Sequence, residues 1–180
     1  MTDTEQANPS RRRLLTSALL LPAAAAVGAL GFAGAAHADY NGPIKRSQVM
    51  NRAHEWFERN VQYVGGSDTE PDAVHGCHRY RTDCSGFVSM CWHSPAPGHS
   101  TRSLPDISRQ ILWRELKAGD IVNAYDNHTM LFDSWSIDSG YMWYYDLATP
   151  ALDMRHQRID ANILQNQGYI PRRYKFIENG

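Results

Sequence analysis

Thr82-Asp83-Cys84-Ser85-Gly86-Phe87-Val88 is the stretch on which the reading of this chain turns. A cysteine set between an acid and a Ser-Gly pair, opening an apolar run, reads as a nucleophile at the start of a helix. Val88, Cys91 and Trp92 continue the periodic face, so Cys84 falls in the first turn of a helix over about Cys84 to Trp92. Unpaired backbone N–H groups and the positive end of the helix dipole favour a thiolate there. Downstream comes Leu116-Lys117-Ala118-Gly119-Asp120-Ile121-Val122, and then His128 opens a second apolar run, Thr129-Met130-Leu131-Phe132. A helix-borne cysteine followed by a strand-borne histidine suits a thiol that attacks an acyl carbon while the imidazole holds and returns the proton.

Outward from these residues, a first helix is expected from Ser47 to about Asn60, with Val49, Ala53, Trp56 and Phe57 at helical spacing. Gly65 to Arg81 reads as a polar loop, and Arg102 to Gln110 as a short helix with Pro105 in its first turn. From Asp120 onward the pattern becomes strands, at about 120–124, 128–135, 141–148, 151–159 and 169–177. Ser136-Ile137-Asp138-Ser139-Gly140 turns a hairpin between two of them. Helices first and antiparallel strands afterwards predict an α+β domain, a small helical half packed on an antiparallel sheet.

The histidine needs an orienting partner. If Met130 pairs with Asp146, then His128 and Asp146 share a face as diagonal neighbours, whereas Asp133 faces the other way. A slip of one residue would put Tyr145 in place of Asp146. Asp83 and Ser85 flank the nucleophile and can cap its helix, bind a polar substrate, or both. The Cys84 N–H is a candidate oxyanion donor. No cofactor is needed for such chemistry. A zinc reading of His75, Cys77, His78, Cys84, Cys91 and His93 is disfavoured because no Cys-x-x-Cys occurs among them.

The first 38 residues read as an export leader rather than as part of the fold. Ser10-Arg11-Arg12-Arg13-Leu14-Leu15 matches a twin-arginine signal, and an uncharged, alanine-rich stretch runs to the small-x-small site Ala36-His37-Ala38. Residues 39–180 are then one domain, with no second one expected. The leader carries three of the 18 basic and two of the 19 acidic residues, so the remainder is close to neutral. That balance excludes the basic surplus of a nucleic-acid binder. With Cys84 as nucleophile, Cys77 and Cys91 are left as an even pair in an exported protein, open either to a disulfide or to a buried thiol and an exposed one.

These residues resemble the NlpC-type cell-wall cysteine peptidases of the papain-like group. The resemblance runs from Ser47 through Asp146 and rests on Tyr63-Val64-Gly65-Gly66, Asp83-Cys84-Ser85-Gly86-Phe87-Val88, Leu116-x-Ala118-Gly119-Asp120-Ile121-Val122 and His128. It implies a papain-like fold, with Cys84 as nucleophile, His128 as base and a polar residue of the next strand as orienter. It further implies Tyr63 close to the nucleophile, and Asp83 and Ser85 binding a peptide amine or amide. The implied partner is the stem peptide of peptidoglycan, cleaved at a D-γ-glutamyl–diamino-acid bond by a secreted or wall-associated monomer with no lasting hold on the membrane. Two departures stand out. The third residue is often histidine in that family, where Tyr144-Tyr145-Asp146-Leu147 stands here, and Ser67–Arg81 is longer than the usual connector. Amidase or acyl-transfer chemistry on other substrates, and a non-catalytic wall-binding module, are the remaining readings.

The leader yields a direct test. Replacing Arg11 and Arg12 together by lysine keeps the charge and removes the guanidinium pair, so secretion should fall sharply. Immunoblots of medium and cell fractions check this, and undiminished secretion would assign the leader to the general export route.

Overall fold

The computed structural model describes residues 40–72 and 76–179, with the backbone alone for 66–68. The export leader therefore lies outside the described residues. In chain order the structure runs β1 (Ile44–Lys45), α1 (Arg46–Glu58), β2 (Gly65–Pro71), β3 (Arg79–Thr82) and α2 (Cys84–Cys91). It continues with a 3₁₀ turn (Leu104–Ile107), β4 (Ser108–Gln110), a second 3₁₀ turn (Trp113–Glu115), β5 (Ile121–Asn123), β6 (Thr129–Trp135), β7 (Tyr141–Leu147) and β8 (Met154–Asp160). The chain closes with α3 (Ala161–Asn166), β9 (Ile170–Tyr174) and β10 (Ile177–Glu178). Six strands form one antiparallel sheet in the order β4-β9-β5-β6-β7-β8. The class is α+β, with few helices on an antiparallel sheet.

Alternation along the strands gives the sheet two apolar faces. Ile121, Leu131, Tyr145 and Leu147 pack with Val49, Ala53 and Trp56 of α1 and with Phe87, Val88 and Cys91 of α2. Their neighbours Val122, Met130, Phe132, Met142 and Tyr144 face the other way, toward Ala161 and Leu164 of α3 and toward Tyr169. With both faces covered, β6 and β7 carry near-continuous apolar runs where a solvated sheet would alternate.

α2 is short, and all eight of its residues are buried. Its start is fixed by Asp83, whose carboxylate accepts the Gly86 N–H at 2.7 Å, a cap worth about 0.5–2 kcal/mol. Gly86 is required here because a Cβ would sit 2.1 Å from the Arg81 carbonyl oxygen, so β3 and α2 touch backbone to backbone. The turn before β5 is equally constrained. Gly119 has φ +86°, and the following Asp120, fully buried, accepts Arg46 Nη1 at 2.9 Å, Arg173 Nη2 at 2.7 Å and the Lys117 N–H at 2.9 Å. One carboxylate thereby joins α1, the turn and β9.

Several elements differ from the sequence reading. The first helix starts at Arg46, where the Gln48 side chain accepts the Lys45 N–H at 2.9 Å, so Ser47 lies inside it. The expected loop from Gly65 holds the β2–β3 hairpin, whose polar strands show no apolar alternation. Arg102–Gln110 is a 3₁₀ turn followed by edge strand β4, because Ser108–Gln110 pairs with Arg172–Tyr174. α3 was not foreseen, since six residues are too few for a helical period to show. The final strand is broken into β9 and β10, and β10 turns away to pair in parallel with β1. Cys77 and Cys91 are not bridged: one is exposed, and the other lies at the centre of the α2 core.

Gly86→Ala should lower the unfolding free energy by about 1–3 kcal/mol through the forced separation of β3 from α2. Urea denaturation monitored by circular dichroism checks it, and an unchanged midpoint would refute the close approach.

Candidate active site

Cys84 occupies the first turn of α2, so its own N–H has no intrahelical acceptor. His128 comes just before β6, and Asp146 is the penultimate residue of β7. The ladder pairs Leu131 with Tyr145 and Phe132 with Tyr144, which sets Met130 opposite Asp146 and confirms the predicted register. His128 Nε2 donates to Asp146 Oδ2 at 2.8 Å. The other ring nitrogen is left for Cys84, whose side chain also hydrogen-bonds the imidazole. The slipped alternative does not occur. Tyr145 lies on the opposite face against Phe57 and His156, and Asp133 bonds His156 at 3.0 Å, away from the site.

A fully buried carboxylate needs more than one partner. Asp146 has a second in Arg155, which donates Nε to Oδ1 at 3.0 Å and Nη2 to Oδ2 at 2.7 Å. Burial pulls the His128 imidazole down, but its hydrogen bonds to Asp146 and Cys84, and the charge of each, outweigh that and push it up to about 9. The site is therefore arranged to keep the imidazole protonated beside the sulfur.

Cys84 and His128 open into a cleft of about 300 Å³. Tyr63 lines it, placed by its N–H donating to Asp153 Oδ1 at 2.8 Å, a link from the segment between α1 and β2 to the β7–β8 turn. Burial, with the neighbouring Cys84 and Asp83 charges, raises the Tyr63 hydroxyl above its usual range, so it remains a donor. Tyr169 and Arg155 line it as well.

Asp83 and Ser85 do not line the cleft. Arg81 Nε donates to Asp83 Oδ2 at 2.8 Å, Ser85 donates its hydroxyl to Asp83 Oδ1 at 2.9 Å, and Arg81 Nη2 reaches Ser85 Oγ at 3.3 Å. Burial opposes ionisation of Asp83, but Arg81, the Gly86 N–H and Ser85 together hold its carboxyl below the usual range. Both side chains shape the helix start, the capping role that the sequence also allowed them, and Arg81 is the cation that Asp83 meets here. Among the described residues no group of three or more His, Cys, Asp or Glu side chains could hold a metal. His75 lies outside them.

Sequence reasoning did not find Arg155, Tyr169 or Asp153. Arg155 was legible in principle, since it opposes Asp146 directly in the β7–β8 ladder and an opposite-charge cross-strand pair is a usable signal. Placing β8 from residue 151, three residues too early, hid it. Tyr169 and Asp153 belong to no pattern. No family model matches the chain, and neither does any curated protein or solved structure.

The raised histidine sets the pH dependence of stability. An ordinary histidine titrates near 6.5, and His128 titrates near 9 in the fold. A pKa raised by folding contributes stability that is complete below 6.5 and is lost as pH climbs through about 9. The stability difference between wild type and His128→Gln should therefore shrink from pH 6 to pH 10. Urea titrations at those pH values check it, and a constant difference would mean that the histidine is not charged in the fold.

Proposed function

We propose that this chain is an exported cysteine hydrolase of papain-like fold that cleaves amide bonds in peptidoglycan stem peptides, at a D-γ-glutamyl–diamino-acid bond. The observation that carries the catalytic part is the Cys84–His128–Asp146 relay at the buried start of α2. The substrate part rests on the resemblance of the Asp83–Val88 and Leu116–Val122 motifs.

The steps follow from the groups present. Cys84 Sγ attacks the amide carbonyl carbon, and the developing oxyanion meets the Cys84 N–H. His128 passes its proton to the leaving amine as the C–N bond breaks, leaving a thioester. The neutral imidazole then takes a proton from water as the water oxygen adds to the thioester carbon; the C–S bond breaks, which frees the acid product and restores the Cys84 sulfur beside the protonated imidazole. Asp146 keeps the ring turned toward the sulfur throughout, and Arg155 keeps Asp146 in place. No cofactor enters.

Cys84→Ala and His128→Ala should each reduce hydrolysis roughly a thousandfold or more while the fold persists. Asp146→Ala should do less, and Tyr145→Phe almost nothing, because Tyr145 is on the other face. Incubation with purified muropeptides, read by mass spectrometry, should give fragments split at the D-γ-glutamyl bond. Full turnover by Cys84→Ala would sink the thiol mechanism. Intact muropeptides beside a reactive Cys84 would move the enzyme to another amide substrate.

A further inference from the structure

The cleft lining offers donors that the relay does not use. Arg155 commits one edge of its guanidinium, Nε and Nη2, to Asp146. Its Nη1 takes no hydrogen bond among the described residues, and its side chain, 20% exposed, lines the cleft. Tyr169 presents a ring that is only 7% exposed, and its hydroxyl likewise makes no hydrogen bond among the described residues. Burial, with the charges of Cys84 and Asp146, pushes that hydroxyl up to about 12, so it stays a donor at neutral pH. Asn127 and Thr149 add further donor groups to the lining. The cleft lining contains no carboxylate.

A cation and a hydroxyl, both with unused hydrogens and both beside a nucleophile, suit an anion carried by the acyl group. We propose that Arg155 and Tyr169 form a carboxylate subsite, so that the preferred substrates carry a carboxylate a few bonds from the scissile carbonyl. The guanidinium presents paired N–H donors in a plane, which match a carboxylate. The opposite edge, fixed by Asp146, holds the group rigid before substrate arrives, which lowers the ordering cost of binding. Arg155 thus orients the relay through Asp146 and selects substrate through its outer edge. The proposal rests on Cys84 being the nucleophile described above.

Alkylation of Cys84 tests the subsite without any peptide substrate. Iodoacetate and iodoacetamide are nearly the same size, and with each the sulfur displaces iodide, but only the first carries a carboxylate. Rates are followed on the Cys84 peptide by mass spectrometry, which separates it from exposed Cys77. The rate ratio of iodoacetate to iodoacetamide should fall about tenfold in Arg155→Gln, recover partly in Arg155→Lys, and fall less in Tyr169→Phe. Equal losses with both reagents, leaving the ratio at its wild-type value, would mean that Arg155 acts only through Asp146 and would overturn the subsite. The wild-type protein gives an independent readout: N-acetylglutamate should protect Cys84 from iodoacetamide, and N-acetylglutamine should not. Equal protection by the two, or none by the acid, overturns the subsite while leaving the thiol mechanism standing. A Cys84 inert to both reagents removes the catalytic reading and the subsite together.

Discussion

Arg81 is the side chain on which the geometry of the site depends. Its guanidinium donates to Asp83 and Ser85 on one side and to the carbonyl oxygens of Gly98 and His99, at 2.6 and 2.7 Å, on the other. These bonds fix the position of Asp83, which caps α2, and α2 carries Cys84. The helix has no exposed face with which to adjust, and Gly86 presses it against the backbone of β3. A shift at Arg81 would therefore be passed to the thiol rather than absorbed. For the hydrolysis proposed above a rigid mounting of this kind matters, because proximity is sensitive to displacements of about an ångström.

Asp146 sets the opposite half of the site by the same logic. A buried carboxylate cannot stay without partners, and its two partners, His128 and Arg155, approach from different strands of one sheet. The carboxylate is thus a fixed point between β6, β7 and β8. The aspartate brings a negative charge beside the imidazole, and Arg155 balances it.

The parts legible in the sequence were those with a period or a tight motif. The nucleophile helix followed from Asp83-Cys84-Ser85-Gly86-Phe87, and strand alternation favoured Asp146 as the partner of His128 with Tyr145 one slip away; the ladder, with its register shift between Phe132 and Ser134, selects Asp146. Asp83 shows where such reading stops. Its position beside Cys84 suggested a substrate contact, and only the folded chain shows that Pro97, Gly98 and His99 gather Arg81 onto it. Arg155 and Tyr169 were hidden for a similar reason, because their meaning comes from a cleft assembled by five separate segments. The β2–β3 hairpin escaped because its strands are polar, and α3 because one and a half turns carry no usable period.

Asp120 has a consequence for the order in which the chain can fold. The carboxylate is buried, and two of its partners lie at opposite ends of the domain, Arg46 at the start of α1 and Arg173 in β9. Among the described residues β1 likewise pairs only with β10, and β5 is flanked by β9. Until the last strands leave the ribosome, Asp120 lacks one of its two cations and the sheet lacks an interior strand. Pairings of such long sequence separation close late and slowly. Closure of the sheet around β5 therefore waits for β9, and so does the cleft beside the thiol, which Tyr169 helps to line.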